Sequence, residues 1–216
     1  MTDTLFVITI SHQLGSGGSM LGQNMAERLG IPFFDHEILK RVAEDLHLAE
    51  SEIETREERL STFWESLSRS MVMGDPTAVL AMDHFSPSDE ELFDHECEVI
   101  AKIAEKSSGV FLGRCGFYTL RDHPRHLNIL VHAGINQRIQ RVRQLFHLDD
   151  ESALKMIQNN DRERAAYVHA FTRQNWLDTR LYDLTINTSS LGMEKTLEFA
   201  LAAAAQKIGA AQIQPA

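Results

Sequence analysis

The apolar run Leu5-Phe-Val-Ile-Thr-Ile10 passes directly into SHQLGSGGSMLG at residues 11–22, and no other stretch of the chain so narrows what it can fold into. Leu21, Met25 and Leu29 then recur at helical spacing until Gly30-Ile-Pro32 ends the pattern. A strand that turns through glycines into a helix collects unpaired backbone N–H groups and the positive end of the helix dipole at one point, where an anion can sit. The backbone of Ser16 to Ser19 is therefore expected to hold a phosphate. A phosphate loop asks for glycine, four residues, then Gly-Lys-Ser/Thr. Aligned on Gly17-Gly18-Ser19, that pattern puts His12 on the first glycine and Gly18 on the lysine, so the lysine is absent. Two other readings fit the same letters. Gly15 and Gly17 supply G-x-G with Asp35 20 residues beyond Gly15, as in a dinucleotide-binding turn, although Met20 takes the place of the third small residue. In the other, the glycines make no more than a tight turn.

Downstream, strands alternate with helices. Short apolar stretches at Ile31–Asp35, VFLGRC (110–115), Leu127–His132 and YDLTINT (182–188) read as strands, after a first strand at 5–11. HEILKRVAEDL, a charged stretch at 49–59, and the stripe Leu60, Phe63, Trp64, Leu67 and Met71 read as helical, with a loop at 74–88. Further helices are expected from Asp89, over 135–147, over 150–171 and around Met193 to Ala204. This alternation implies an α/β fold: a mainly parallel sheet, covered on both faces, with ligands at the carboxyl ends of its strands.

Charge then limits the partners. With 21 Lys+Arg against 31 Asp+Glu, the net charge of −10 opposes non-specific binding to nucleic acid. Any anion site must be local, and Arg138, Arg141, Arg143, Arg162 and Arg164 are the local excess of positive charge. Cys97 and Cys115 form neither a disulfide framework nor a metal spacing, and the N-terminus lacks signal-peptide features, so a cytoplasmic location is expected. No apolar run approaches the ~20 residues of a membrane span, so no membrane partner is expected. The ten histidines show no metal-ligand spacing and G-x-S-x-G is missing, which disfavours zinc and hydrolase chemistry.

ITISHQLGSGG, FFDHEILKR, VFLGRC, NDRERAAY and YDLTINT, in that order, resemble the cytidylate kinase-like family of P-loop nucleoside monophosphate kinases. Members of that family often begin ITIS-R-x-x-GSGG, and the resemblance covers nearly everything except residues 50–95. It implies a P-loop NTPase-type five-stranded parallel sheet of order 2-3-1-4-5 with helices on both faces. One domain, 1–216, would carry a helical acceptor-binding insert at 36–88 and an arginine-rich lid at 136–180. ATP with Mg²⁺ would be the donor, and CMP, dCMP or a related small nucleotide the acceptor. The resemblance assigns the donor phosphates to Gly15, Ser16, Gly17, Gly18 and Ser19, with Ser19 also at the magnesium position. Asp35, Arg41 and Arg114 would meet the acceptor, and Arg114, Arg162 and Arg164 would be catalytic. The chain departs from the family pattern at His12, at His36 and Glu37, at Leu112 and Cys115, which stand where acids are expected, and at Ala166. A nucleotide-binding module that has lost catalysis is the rival reading, with a NAD-binding protein behind both. The Trp64 stripe would pack on the core or on a second subunit in a homo-oligomer.

Overall fold

The computed structural model describes residues 5–35, 87–113 and 115–209. Five strands form one parallel sheet: β1 (Val7–His12), β2 (Phe33–Phe34), β3 (Gly109–Leu112), β4 (His126–His132) and β5 (Leu184–Asn187), in the order β2-β3-β1-β4-β5. The described helices are α1 (Gly18–Leu29), α2 (Pro87–Lys106), the short α3 (Gly116–Thr119), α4 (Ile135–Phe146), α5 (Asp150–Thr172) and α6 (Thr188–Ile208). The expected strand order and layering are therefore present.

β1 is apolar without alternation because both of its faces are covered. Ile8 and Ile10 pack with Leu21 and Met25 of α1 and Ala200 and Ala204 of α6, whereas Val7 packs on the other side with Val99, Ile100 and Ile103 of α2. Between these apolar positions Thr9 serves a buried polar network. Its hydroxyl donates to Asn128 Oδ1 at 2.8 Å and lies 2.6 Å from His126 Nε2. The Asn128 side chain in turn donates to the Leu181 carbonyl, and the Asn128 N–H donates to the Asp183 carboxylate.

Several boundaries differ from the sequence reading. The third strand stops at Leu112, not at 115, because Gly113 (φ 70°) and Cys115 (φ 52°) take left-handed conformations that turn the chain into α3. A side chain at Gly116 would come within 3.1 Å of the Thr9 methyl, so glycine lets α3 close on β1. α2 begins at Pro87, inside the expected loop, and the last strand is trimmed to Leu184–Asn187. Arg41, Arg114, the Trp64 stripe and nearly all of the 36–88 insert lie outside the described residues.

β1 is the central strand, with β3 on one side and β4 on the other. The connection that follows β1 runs to β2 on one side of it and the connection that follows β3 crosses to β4 on the other, so the carboxyl ends of β1 and β3 flank the switch point at which α/β sheets bind ligands. The glycine loop starts there.

Candidate active site

Local turn geometry shapes the loop between His12 and Gly18. The Ser16 N–H donates to the Gln13 carbonyl at 3.0 Å, so this amide is turned into the loop and not towards a ligand; the Ser16 side chain is fully buried. Gly15 (φ 76°) and Gly17 (φ 89°) then take conformations that L side chains rarely adopt. At Gly15 a Cβ would stand 2.8 Å from the Arg138 carbonyl oxygen, so a side chain there meets backbone as well as strain. Gly17 is the N-cap of α1 and no side chain caps this end, which leaves the first amides of the helix to a ligand.

Arginines from the α4–α5 hairpin hold the loop from its carbonyl side. Arg138 Nε donates to the Leu14 carbonyl at 2.7 Å, while Nη1 and Nη2 grip Asp161 of α5 at 2.8 and 2.7 Å. One nitrogen of Arg141, Nη1, donates to the carbonyls of Gly15 (3.1 Å) and Ser16 (2.9 Å) and to the Thr188 hydroxyl (3.1 Å). Thr188 donates its own hydroxyl to the Ser16 carbonyl at 2.7 Å. Arg164 of α5 donates to the His12 carbonyl, with its guanidinium 5.4 Å from the centre of the buried Trp176 ring. The arginine contacts are charge-assisted, which makes them stronger than neutral hydrogen bonds.

His12 lies against Gly18. A Cβ at Gly18 would be 2.3 Å from His12 Cβ and 2.6 Å from its Cγ, a clash that no small adjustment relieves. Burial, followed by the fields of Arg164 and Arg138, holds the imidazole pKa well below its usual value, so the ring is neutral at pH 7. Its Nδ1 is buried with no hydrogen-bond partner among the described residues.

The loop opens on a cavity of about 890 Å³. His12, Gly17, Gly18 and Ser19 line one end, Asp35 joins from beyond β2, and Arg141 and Arg164 bring positive charge. Phe117, Tyr167 and Trp176 supply aromatic surface. Such a volume accommodates a ligand of nucleotide size. Ser19 is exposed at the start of α1 and lines the cavity, so its hydroxyl is the described group there that could serve as an oxygen ligand to a magnesium ion. Among the described residues no cluster of three His, Cys, Asp or Glu side chains stands ready to bind a metal.

The sequence-predicted residues are thus partly brought together. Gly15, Gly17, Gly18, Ser19, Asp35 and Arg164 share the cavity lining, whereas Arg162 is exposed and, among the described residues, reaches Asn159 at 3.5 Å on its own helix. Arg143 pairs on the surface with Asp150 at 2.7 Å. Sequence reading did not single out the roles of His12, Arg138 and Arg141. The i, i+3 spacing of Arg138 and Arg141 puts both on one helix face, a signal that was available.

Among solved structures, an uncharacterized protein from Eubacterium ventriosum is 22% identical over 93% of this chain and 98% of its own, with a TM-score of 0.70; this is a likeness of fold. Shikimate kinase from Bacteroides thetaiotaomicron is 12% identical over 91% of this chain and 97% of its own, with a TM-score of 0.49. A curated uronate isomerase from Corynebacterium glutamicum is 32% identical over 104 residues, 48% of this chain and 20% of that protein. The chain thus spans about a fifth of the length of that curated relative. Residues 7–190, which include the loop, the sheet and the α4–α5 hairpin, match the model of the cytidylate kinase-like family, and the chain belongs to that family.

Proposed function

We propose that the protein is an ATP-dependent kinase that transfers a phosphoryl group to CMP, dCMP or a related small acceptor. One observation carries this reading: an uncapped helix N-terminus behind a glycine loop, with arginines on the loop carbonyls, opens on a cavity of about 890 Å³ that also holds Asp35 and Arg164. Phosphoryl transfer asks the protein chiefly to align two phosphates and to offset the charge that develops between them. The amides at the start of α1 hold the donor's phosphates, and Arg164 and Arg141 provide positive charge from the facing hairpin. Asp35 orients the acceptor, whose phosphate oxygen forms the new bond to the γ-phosphorus as the bond to the β-phosphate oxygen breaks and ADP leaves. Ser19 would hold Mg²⁺ by its hydroxyl, and the ion would supply positive charge against the donor phosphates. Arg41 and Arg114 are assigned to the acceptor phosphate, and Arg162 to closure over the transferred group, by their places in the family's motifs.

Coupled ADP release with ATP, Mg²⁺ and either CMP or dCMP tests the assignment, alongside thermal shifts with nucleotides and NAD. Ligand at 100 times its Kd stabilises by ~2.7 kcal/mol, which a melting curve detects. ATP binding with no acceptor-dependent ADP release would leave a nucleotide-binding module. Stronger stabilisation by NAD would restore the dinucleotide reading.

A further inference from the structure

We propose that Thr188 is a positioning residue for the donor phosphates: its hydroxyl, fixed between the Ser16 carbonyl and Arg141, holds the glycine loop from the sheet and sets the Arg141 guanidinium on the cavity wall. The inference rests on the nucleotide-kinase reading above.

Three observations carry it. First, the hydroxyl is used both ways: it donates to the Ser16 carbonyl at 2.7 Å and accepts from Arg141 Nη1 at 3.1 Å. The same nitrogen donates to the Ser16 carbonyl at 2.9 Å, so Thr188, Arg141 and Ser16 close a triangle of hydrogen bonds. Second, Thr188 is 0% exposed, so water does not readily take the place of its hydroxyl. Third, the residue is anchored where the sheet meets α6. The preceding Asn187 pairs with His132 of β4 and caps α6 by accepting from the Ser189 N–H at 3.0 Å. Thr188 therefore reaches the loop from the sheet, whereas Arg138, Arg141 and Arg164 reach it from the α4–α5 hairpin.

One planar peptide unit joins the Ser16 carbonyl to the N–H of Gly17, the N-cap of α1. Fixing the carbonyl therefore fixes the tilt of that amide. Gly17 and Arg141 both line the cavity, so the hydroxyl governs one amide of the loop and one cation of the wall without itself touching phosphate.

Calorimetric titration of the full chain with ADP and Mg²⁺ tests this role without turnover. Thr188→Val keeps the shape and removes the hydroxyl, and its affinity should fall roughly 10-fold, the scale of one lost hydrogen bond to a charged group. Thr188→Ser keeps the hydroxyl and should bind within about threefold of wild type, on the same argument. In an Arg141→Met background, where one partner is already gone, Thr188→Val should cost no more than about threefold further, because residues in contact are not additive. Thr9→Val removes a buried hydroxyl of β1 that does not line the cavity; it should lower the melting temperature yet keep ADP affinity within about twofold of wild type. Thermal melts establish that each variant is folded, and Thr188→Ala, smaller than threonine, is held to the same limits if the valine variant does not fold. Equal affinity of Thr188→Val and wild type overturns the proposal. So does a loss in Thr188→Ser or Thr9→Val as deep as that in Thr188→Val, or a fully additive loss in the double variant. Inorganic tripolyphosphate separates the two readings. If wild type binds tripolyphosphate with the same dependence on Thr188 but binds no nucleotide, the positioning role stands and the kinase reading falls; if it binds neither, both fall.

Discussion

Arg138→Met should be among the most damaging single changes in the α4–α5 hairpin, because it removes three hydrogen bonds from a side chain that is only 5% exposed. Breaking a buried ion pair from one side costs about 3–5 kcal/mol. Asp161 is 27% exposed and recovers part of its hydration, which lowers that figure to about 2 kcal/mol. The Leu14 carbonyl loses its partner for about 1 kcal/mol more. Methionine keeps most of the aliphatic stem, so no large cavity term is added. The sum, about 3 kcal/mol, corresponds to a fall of about 1.5 M in the urea midpoint for an m-value near 2 kcal/mol/M. Asp161→Asn provides the other arm of a double-mutant cycle, in which the two changes together should cost less than their sum by about 1–2 kcal/mol. A midpoint for Arg138→Met within about 0.25 M of wild type, well inside the shift expected on that m-value, would refute the claim that Arg138 ties α4 to α5 through Asp161 and to the loop through the Leu14 carbonyl.

Gly17→Val should leave a folded protein that no longer binds ADP, since φ 89° is strained for valine and its Cβ would stand 2.5 Å from Met193 Cε; retained binding in a titration would remove the loop from the site. Trp176, 1% exposed, should cost ~3–5 kcal/mol on change to alanine, read as a denaturant midpoint. His126 is pushed down to about 4, first by burial and then by Lys207, so between pH 6.5 and 4 the unfolded chain binds a proton that the folded chain refuses. Stability should therefore fall with pH across that window, by up to about 3 kcal/mol from this group, and urea midpoints for wild type and His126→Gln should differ in pH slope.

The sheet was legible because its signals are local: an apolar run covered on both faces needs no alternation, and a glycine loop between strand and helix announces itself in sequence. What escaped was set by contacts far apart in the chain. Arg138 and Asp161 are 23 residues apart, and Arg141 reaches Gly15 across 126, so neither periodicity nor motif spacing reveals that these cations serve loop carbonyls. The VFLGRC boundary failed for another reason. Hydrophobicity continues through Cys115 and Phe117, both buried, while the backbone has already left the sheet at Gly113. Absence of the lysine was plain in the sequence, but that a side chain at residue 18 would meet His12 required coordinates.

These contacts also constrain how an arginine lid would move. A rigid swing of α4–α5 away from the loop must release the carbonyls of His12, Leu14, Gly15 and Ser16 from Arg164, Arg138 and Arg141. At about 1 kcal/mol net for each carbonyl, the open form would be near one molecule in a thousand, which would weaken the apparent affinity of any substrate that needs it by about that factor. Under the proposed function closure falls to side chains that hold no loop carbonyl, and Arg162, exposed and with a 3.5 Å contact to Asn159 among the described residues, is the one assigned to it. An interaction completed only as charge develops in the transition state appears in kcat, whereas one present throughout appears in KM as well. Arg162→Ala should accordingly lower kcat with little change in KM. Arg164→Ala, which frees the backbone of His12, should raise KM for the donor and lower kcat together. Steady-state measurements with ATP varied against saturating CMP read both constants. If Arg162→Ala raised KM as far as Arg164→Ala does, Arg162 would be a ground-state contact, and the division between a fixed hairpin and a mobile side chain would fail.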